Sequence, residues 1–169
     1  MAQAGITTRD MIRDFLDVGT GESSDIVLMG RGFTEANEEP GAQSDSKRYI
    51  NDKSATGSVK SYEWKKPFTA DLIEDEKAIA YIADIGRLCK TGADAESVNY
   101  NVELGKPVAE KAGTYYARQM KVAIIVNSFS DNDGEMQVEG EFAGIGDPVE
   151  GEFNITTKTF TAKDAVATP

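Results

Sequence analysis

The chain has 169 residues, 40% of them hydrophobic, and carries 29 acidic against 18 basic residues for a formal charge of −11. That length suits one domain with a real core, and the composition argues against disorder. A nucleic-acid reader needs a basic surface to neutralise phosphates, and here the only basic clusters are the isolated pairs Lys47-Arg48 and Lys65-Lys66.

The chain contains no histidine and a single cysteine, Cys89. Ser-His-Asp and Cys-His catalysis are therefore excluded, as are His-ligated metal centres and any internal disulfide. Folding in a reducing compartment is expected. No apolar run approaches the roughly 20 residues of a membrane span. Met1-Ala2-Gln3-Ala4-Gly5-Ile6 also does not show the basic-then-apolar pattern of a signal peptide.

From Thr8 to Gly19 apolar residues fall at 11, 12, 15, 16 and 18. This spacing predicts a short amphipathic helix or a docking arm over residues 1–24, with Gly19 as a stop. Ile26-Val27-Leu28-Met29 reads as a brief strand buried on both faces. Then the character changes. Residues 33–58 are polar and turn-rich, with Phe33, Tyr49 and Ile50 almost alone as large apolar residues. A structureless loop longer than ~15 residues is uncommon in a compact domain and is usually functional or disordered.

Period two returns between Val59 and Ile73, where Tyr62, Trp64 and Phe68 are good strand formers and Pro67 points to an edge or a bulge. The clearest helix is predicted over residues 75–90. Ile79, Ile82, Ile85, Gly86 and Cys89 make one stripe, acidic residues precede it, and Lys90 and Gly92 close it. Cys89 is expected to be a small buried residue of that stripe.

Downstream, everything reads as strand. Val98, Tyr100, Val102 and Leu104 alternate, and residues 115–129 are apolar on both faces around Val122 to Val126, as in a central strand. Asp131-Asn132-Asp133-Gly134 is a hairpin turn; it does not have the ligand spacing of a calcium loop. Gly30-Arg31-Gly32 is followed by no helix pattern and has Glu35, Glu38 and Glu39 nearby, so it is no phosphate loop. Residues 162–169, small and polar, read as a flexible tail.

The phrases RYINDKSATGSVKSYEW and GDPVEGEF…TFTA, with one helix DEKAIAYIADIGRL between runs of strands, resemble the major tail (tail tube) proteins of phages and prophages of Gram-positive bacteria. The likeness covers residues 25–161. It implies a mostly β domain of two packed antiparallel sheets, sandwich- or barrel-like, with one flanking α-helix. It further implies hexameric rings stacked into a tube through which genomic DNA passes without specific binding. Tape-measure and tail-terminator proteins are the implied partners, beside the chain itself. The implied location is the virion tail, assembled in the bacterial host cytoplasm with no membrane step.

No catalytic residue, cofactor or metal comes with the family. Its long inter-ring loop corresponds to residues 33–58 here, with Phe33, Glu38, Glu39, Lys47, Arg48, Tyr49, Ile50, Asn51, Asp52 and Lys53 as the contact residues. The other reading of the residues is a monomeric β-sandwich binding or virion-decoration module, with Tyr62 and Trp64 as its exposed aromatics.

Overall fold

The computed structural model describes residues 5–163. The N-terminal residues 1–4 and the last six residues of the expected tail lie outside them. Eleven strands and one α-helix make up the described chain. The strands are β1 (Ile12–Asp17), β2 (Ile26–Leu28), β3 (Phe33–Ala36), β4 (Ala42–Lys47), β5 (Thr56–Tyr62), β6 (Lys65–Asp71), β7 (Glu96–Pro107), β8 (Thr114–Asn132), β9 (Glu135–Gly144), β10 (Val149–Asn154) and β11 (Thr159–Ala162). The helix, α1 (Lys77–Arg87), lies between β6 and β7. The chain is thus mostly β, sandwich- and barrel-like with a flanking helix. Its two layers are regions of one curled antiparallel sheet.

That sheet runs in the order β2-β1-β7-β8-β9-β6-β3, with β10 and β11 attached beside β8. The 19-residue β8 is its spine. The C-terminal half of β8 pairs with β9 from Val122 to Asn132, and its N-terminal half pairs with β10 from Thr114 to Gln119. Its two partners part company at residues 145–148, so the sheet splits there.

The two branches bend toward opposite faces of the sheet, and each bend encloses a core. On one face Leu16, Phe68, Val122, Ile124, Val138 and Phe142 meet Ile79, Ile82 and Ile85 of α1. On the other, Phe15, Tyr100, Val102 and Ala117 meet Phe153, with the Phe15 and Phe153 rings 4.7 Å apart between centroids.

This double core explains the N-terminal segment, which from Ile12 to Asp17 is a strand of the body rather than a helix. A 3-10 turn at Arg9–Met11 leads into β1, which pairs with β2 and β7. Phe15 and Leu16 are adjacent and enter different cores. A strand buried on both faces does not alternate, and its apolar spacing imitates a helix. The other early strand, β2, is an edge strand with Leu28 exposed, not a strand buried on both faces.

Pro67 sits in β6 between β9 and β3, and its carbonyl accepts from the Asn37 amide just past the end of β3. The ladder on that side is interrupted there, so the missing N–H leaves no gap. Central β8 behaves as expected, although Ile125 on its second face is partly exposed. The turn after β8 has Asp133 and Gly134 at φ 53° and 90°, and the Asp131 carboxylate accepts the Gly134 amide at 2.7 Å. Both central residues at positive φ match the right-handed strand twist of a two-residue hairpin.

The helix ends at Arg87, five residues before Gly92. Cys89 adopts φ 50°, the Lys90 amide donates to the Ile85 carbonyl at 3.0 Å, and the Cys89 amide donates to that of Gly86 at 3.3 Å. This paired reversal satisfies the last carbonyls and is ordinarily built around glycine. It also swings Cys89 off the apolar stripe, so the thiol is exposed rather than buried. A side chain in the left-handed region costs roughly 1–2 kcal/mol, of which glycine's larger unfolded-state entropy returns a part. Cys89→Gly is accordingly expected to raise stability by about 0.5–1 kcal/mol in urea unfolding. A decrease would show that the thiol packs against something.

Candidate functional site

Residues 33–71 form one long antiparallel arm rather than an unstructured loop. Its inner part is the β3–β6 ladder in the main sheet. The pairing continues through the Glu39–Lys65 bridge and the Glu63 amide on the Gly41 carbonyl at 2.9 Å. It ends in β4 and β5, a separate two-stranded ribbon running from Ala42/Tyr62 to Lys47/Thr56. Every residue of both ribbon strands is exposed. At ~3.4 Å per residue the paired part spans ~17 Å before its tip. The polar composition of 33–58 reflects strands that bury neither face, and such strands show no periodicity of burial.

The ribbon has two unlike sides. Ala42/Tyr62, Ser44/Val59 and Ser46/Gly57 are small or apolar, whereas Gln43/Ser61, Asp45/Ser58 and Lys47/Thr56 are polar. At the tip Tyr49 and Asp52 close a turn through the Asp52 amide on the Tyr49 carbonyl at 3.0 Å. Asp52 returns a carboxylate oxygen to the Tyr49 amide at 3.2 Å. Ile50 is fully exposed and Tyr49 largely so. Over residues 47–53 the charges are Lys47, Arg48 and Lys53 against Asp52, so a basic tip stands on an acidic protein.

The ten residues expected to contact another ring thus divide in two. Lys47, Arg48, Tyr49, Ile50, Asn51, Asp52 and Lys53 come together at this tip. Phe33, Glu38 and Glu39 are instead bound into their own domain. Phe33 packs edge-on against Phe68 at 6.3 Å, and Glu39 pairs with Lys65 at 3.8 Å. Glu38 accepts two hydrogen bonds from the Arg118 guanidinium, at 3.0 and 2.9 Å, and one from the Trp64 indole N–H at 2.6 Å. Trp64 lies against Gly144, where a Cβ would come within 3.3 Å of the indole side chain. Together these contacts clamp the ribbon's root to β8 and β9.

Behind the clamp runs a buried polar chain. Arg118 donates to Asn101 Oδ1 at 3.0 Å, and the Asn101 amide donates to Asp14 at 3.0 Å. Lys66 donates to Asp14 at 2.5 Å and to Asn99 at 3.1 Å, with the two charged side chains only 1% and 2% exposed. Arg9 reaches the second Asp14 oxygen at 2.9 Å. Among the described residues no buried side-chain nitrogen or oxygen is left without a partner. Burial is the largest influence on Asp14 and pushes its carboxyl up. The charge and hydrogen bond of Lys66, the Asn101 amide and the charge of Arg9 outweigh it and hold the group below its usual value. Glu38 behaves alike: burial raises it, and Arg118, Trp64 and Lys66 bring it below its usual value.

The buried Asp14, Lys66, Asn99 and Asn101 were not recognised in the sequence, and Glu38 was expected to contact another ring rather than to anchor its own strand. A signal existed for Lys66, which shares strand parity with the core residues Phe68 and Ala70. For Glu38 and Arg118, 80 residues apart, there was none.

Between the ribbon's root and the split in the sheet opens a cleft of about 860 Å³. Pro40, Tyr62, Trp64, Met120 and Pro148 supply its apolar surface, and Glu63, Glu141 and Asp147 its acidic rim. Among the described residues no group of three or more His, Cys, Asp or Glu side chains is placed to hold a metal ion. No helix there is long and apolar enough to cross a membrane.

Comparisons with known proteins add little. No family model matches the chain, and no curated protein does so either. Among solved structures, a chain of the anti-feeding prophage baseplate, determined by cryo-EM with six-fold symmetrisation, aligns at 4% identity and a TM-score of 0.49. The alignment covers 92% of this chain and 99% of that one.

Two measurements check the polar chain. Lys66→Met leaves Asp14 buried beside fewer counter-charges and is expected to cost about 3–5 kcal/mol, whereas Asp14→Leu/Lys66→Met should cost clearly less than the two single changes combined. Strict additivity would show that the pair is not coupled. The second measurement follows stability with pH. Carboxyls held low in the fold add stability that is complete above the unfolded values of about 3.9 and 4.3, and lost as pH falls through the folded ones. Below about pH 4, Glu38→Gln is therefore expected to lose less stability per pH unit than the parent chain. Parallel urea-unfolding profiles of the two proteins down to acid pH would contradict this.

Proposed function

We propose that this chain is the structural subunit of a phage-tail-like tube, one that binds further copies of itself and performs no catalysis. The observation that carries the reading is the β4–β5 ribbon. A two-stranded hairpin is at best marginally stable alone in water, yet this one projects from the body with both faces bare and an apolar tip. A feature of that kind is maintained by contact with something outside the chain.

The resemblance in sequence supplies the assembly. Copies join edge to edge into hexameric rings, rings stack into a tube, and tape-measure and terminator proteins set its length and end. The open edges of β2, β3 and β11 suit such joining, because an unpaired strand edge is a template for another chain. A head-to-tail contact that does not close on itself gives a filament, as stacking requires.

Opposite α1 and away from the cleft, the sheet presents Asp71, Glu96 and Glu139 against Lys121. Such a face, turned inward, would repel a passing nucleic acid rather than hold it. The tail of a virion, built in the host cytoplasm, is where such a subunit would act.

Electron microscopy of the purified full chain at rising concentration tests the reading. Rings or tubes are expected, and replacing the tip residues 48–55 by an Asn-Gly turn should abolish them while the domain keeps its unfolding temperature. A chain that stays monomeric at every concentration, alone and with candidate tail partners, would overturn it in favour of a binding module.

A further inference from the structure

We propose that the root cleft of one copy receives the ribbon tip of the next. This inference rests on the self-assembly reading and names the two surfaces that meet. The tip offers Tyr49 and Ile50 flanked by Lys47, Arg48 and Lys53. The cleft offers the apolar surface of Tyr62, Trp64 and Pro148 beside Glu63, Glu141 and Asp147.

The charges on both sides are uncommitted. No ion pair among the described residues engages Lys47, Arg48 or Lys53, nor Glu63, Glu141 or Asp147. The cationic side chains near the cleft floor, Arg118 and Lys65, are already paired with Glu38 and Glu39. Lys60, at the ribbon's bulge, is the remaining positive charge at the cleft. The acidic rim is therefore free to meet a basic partner, and complementary charges fix register between copies.

The tip that enters is another copy's and not the chain's own. The cleft lies at the ribbon's own root, and the paired strands hold the tip ~17 Å away from it. A ribbon paired along its length does not fold back on itself. Tip and cleft are different surfaces at opposite ends of one ribbon, so a one-way contact between copies is heterologous. Where the exchange is one-way and its rotation does not close, repeating it builds a filament. The clamp of Glu38, Trp64 and Arg118 holds the cleft wall and the ribbon's exit direction together, so the angle at which each copy offers its tip is fixed by the wall that receives the next.

Charge reversal tests the contact. One variant carries Lys47→Glu and Arg48→Glu, a second carries Glu141→Lys and Asp147→Lys, and a third carries all four. Polymer yield is read by sedimentation and electron microscopy, and thermal unfolding of each variant shows that it folds. The first two are expected to lose at least about tenfold in polymer, since opposed like charges cost several kcal/mol, and the third to recover it. Failure of the third to recover, with the parent chain polymerising and all variants folded, overturns the tip-to-cleft contact and leaves the assembly reading standing. Absence of association by the parent chain under any condition overturns both.

Discussion

The structure depends on one buried ion pair, Lys66 with Asp14. Their strands stand four places apart in the sheet, β1-β7-β8-β9-β6, which in a flat sheet is ~19 Å at ~4.8 Å per strand. The two side chains nonetheless meet at 2.5 Å. The sheet must curl for this to happen, and the curl forms the pocket that α1 fills with Ile79, Ile82 and Ile85. Two charges taken out of water are costly unless every remaining donor and acceptor finds a partner. Asn99, Asn101 and Arg9 meet that demand.

From this interior pair the polar chain continues outward through Asn101 and Arg118 to Glu38 and Trp64. The closed body and the projecting ribbon are therefore physically continuous. A ribbon attached by a slack hinge would sweep a large volume and pay heavily in entropy on docking. One mounted on a buried, fully satisfied network meets its partner already aimed. The ribbon itself gains little from its own chain, since its strands cover nothing. A rigid mount with a bare, marginal ribbon is the combination expected of a part completed by assembly.

Much of the fold was legible because its signals are local. The stripe of Ile79, Ile82 and Ile85, the apolar centre of β8 and the Asp133-Gly134 turn each fix a short segment regardless of the rest. What misled was burial from two sides or from none. Phe15 and Leu16 feed different cores, so β1 imitated a helix; β4 and the start of β5 bury nothing and imitated a loop. Cys89 fitted the helix stripe, but backbone reversal came before side-chain packing and turned it outward. The tip residues Lys47 to Lys53 were recognisable as a group by composition. The anchoring role of Glu38 depends on Arg118, and only the folded register of distant strands brings the two together.

Another copy completes the ribbon on this reading. Amide hydrogen exchange compared between dilute and concentrated full-length protein tests it most directly. The β4 and β5 amides are expected to exchange rapidly in the dilute protein and to become protected on assembly, with β7 and β8 protected throughout. Slow exchange of the ribbon in the isolated monomer, or no gain in its protection within assembled material, would contradict it.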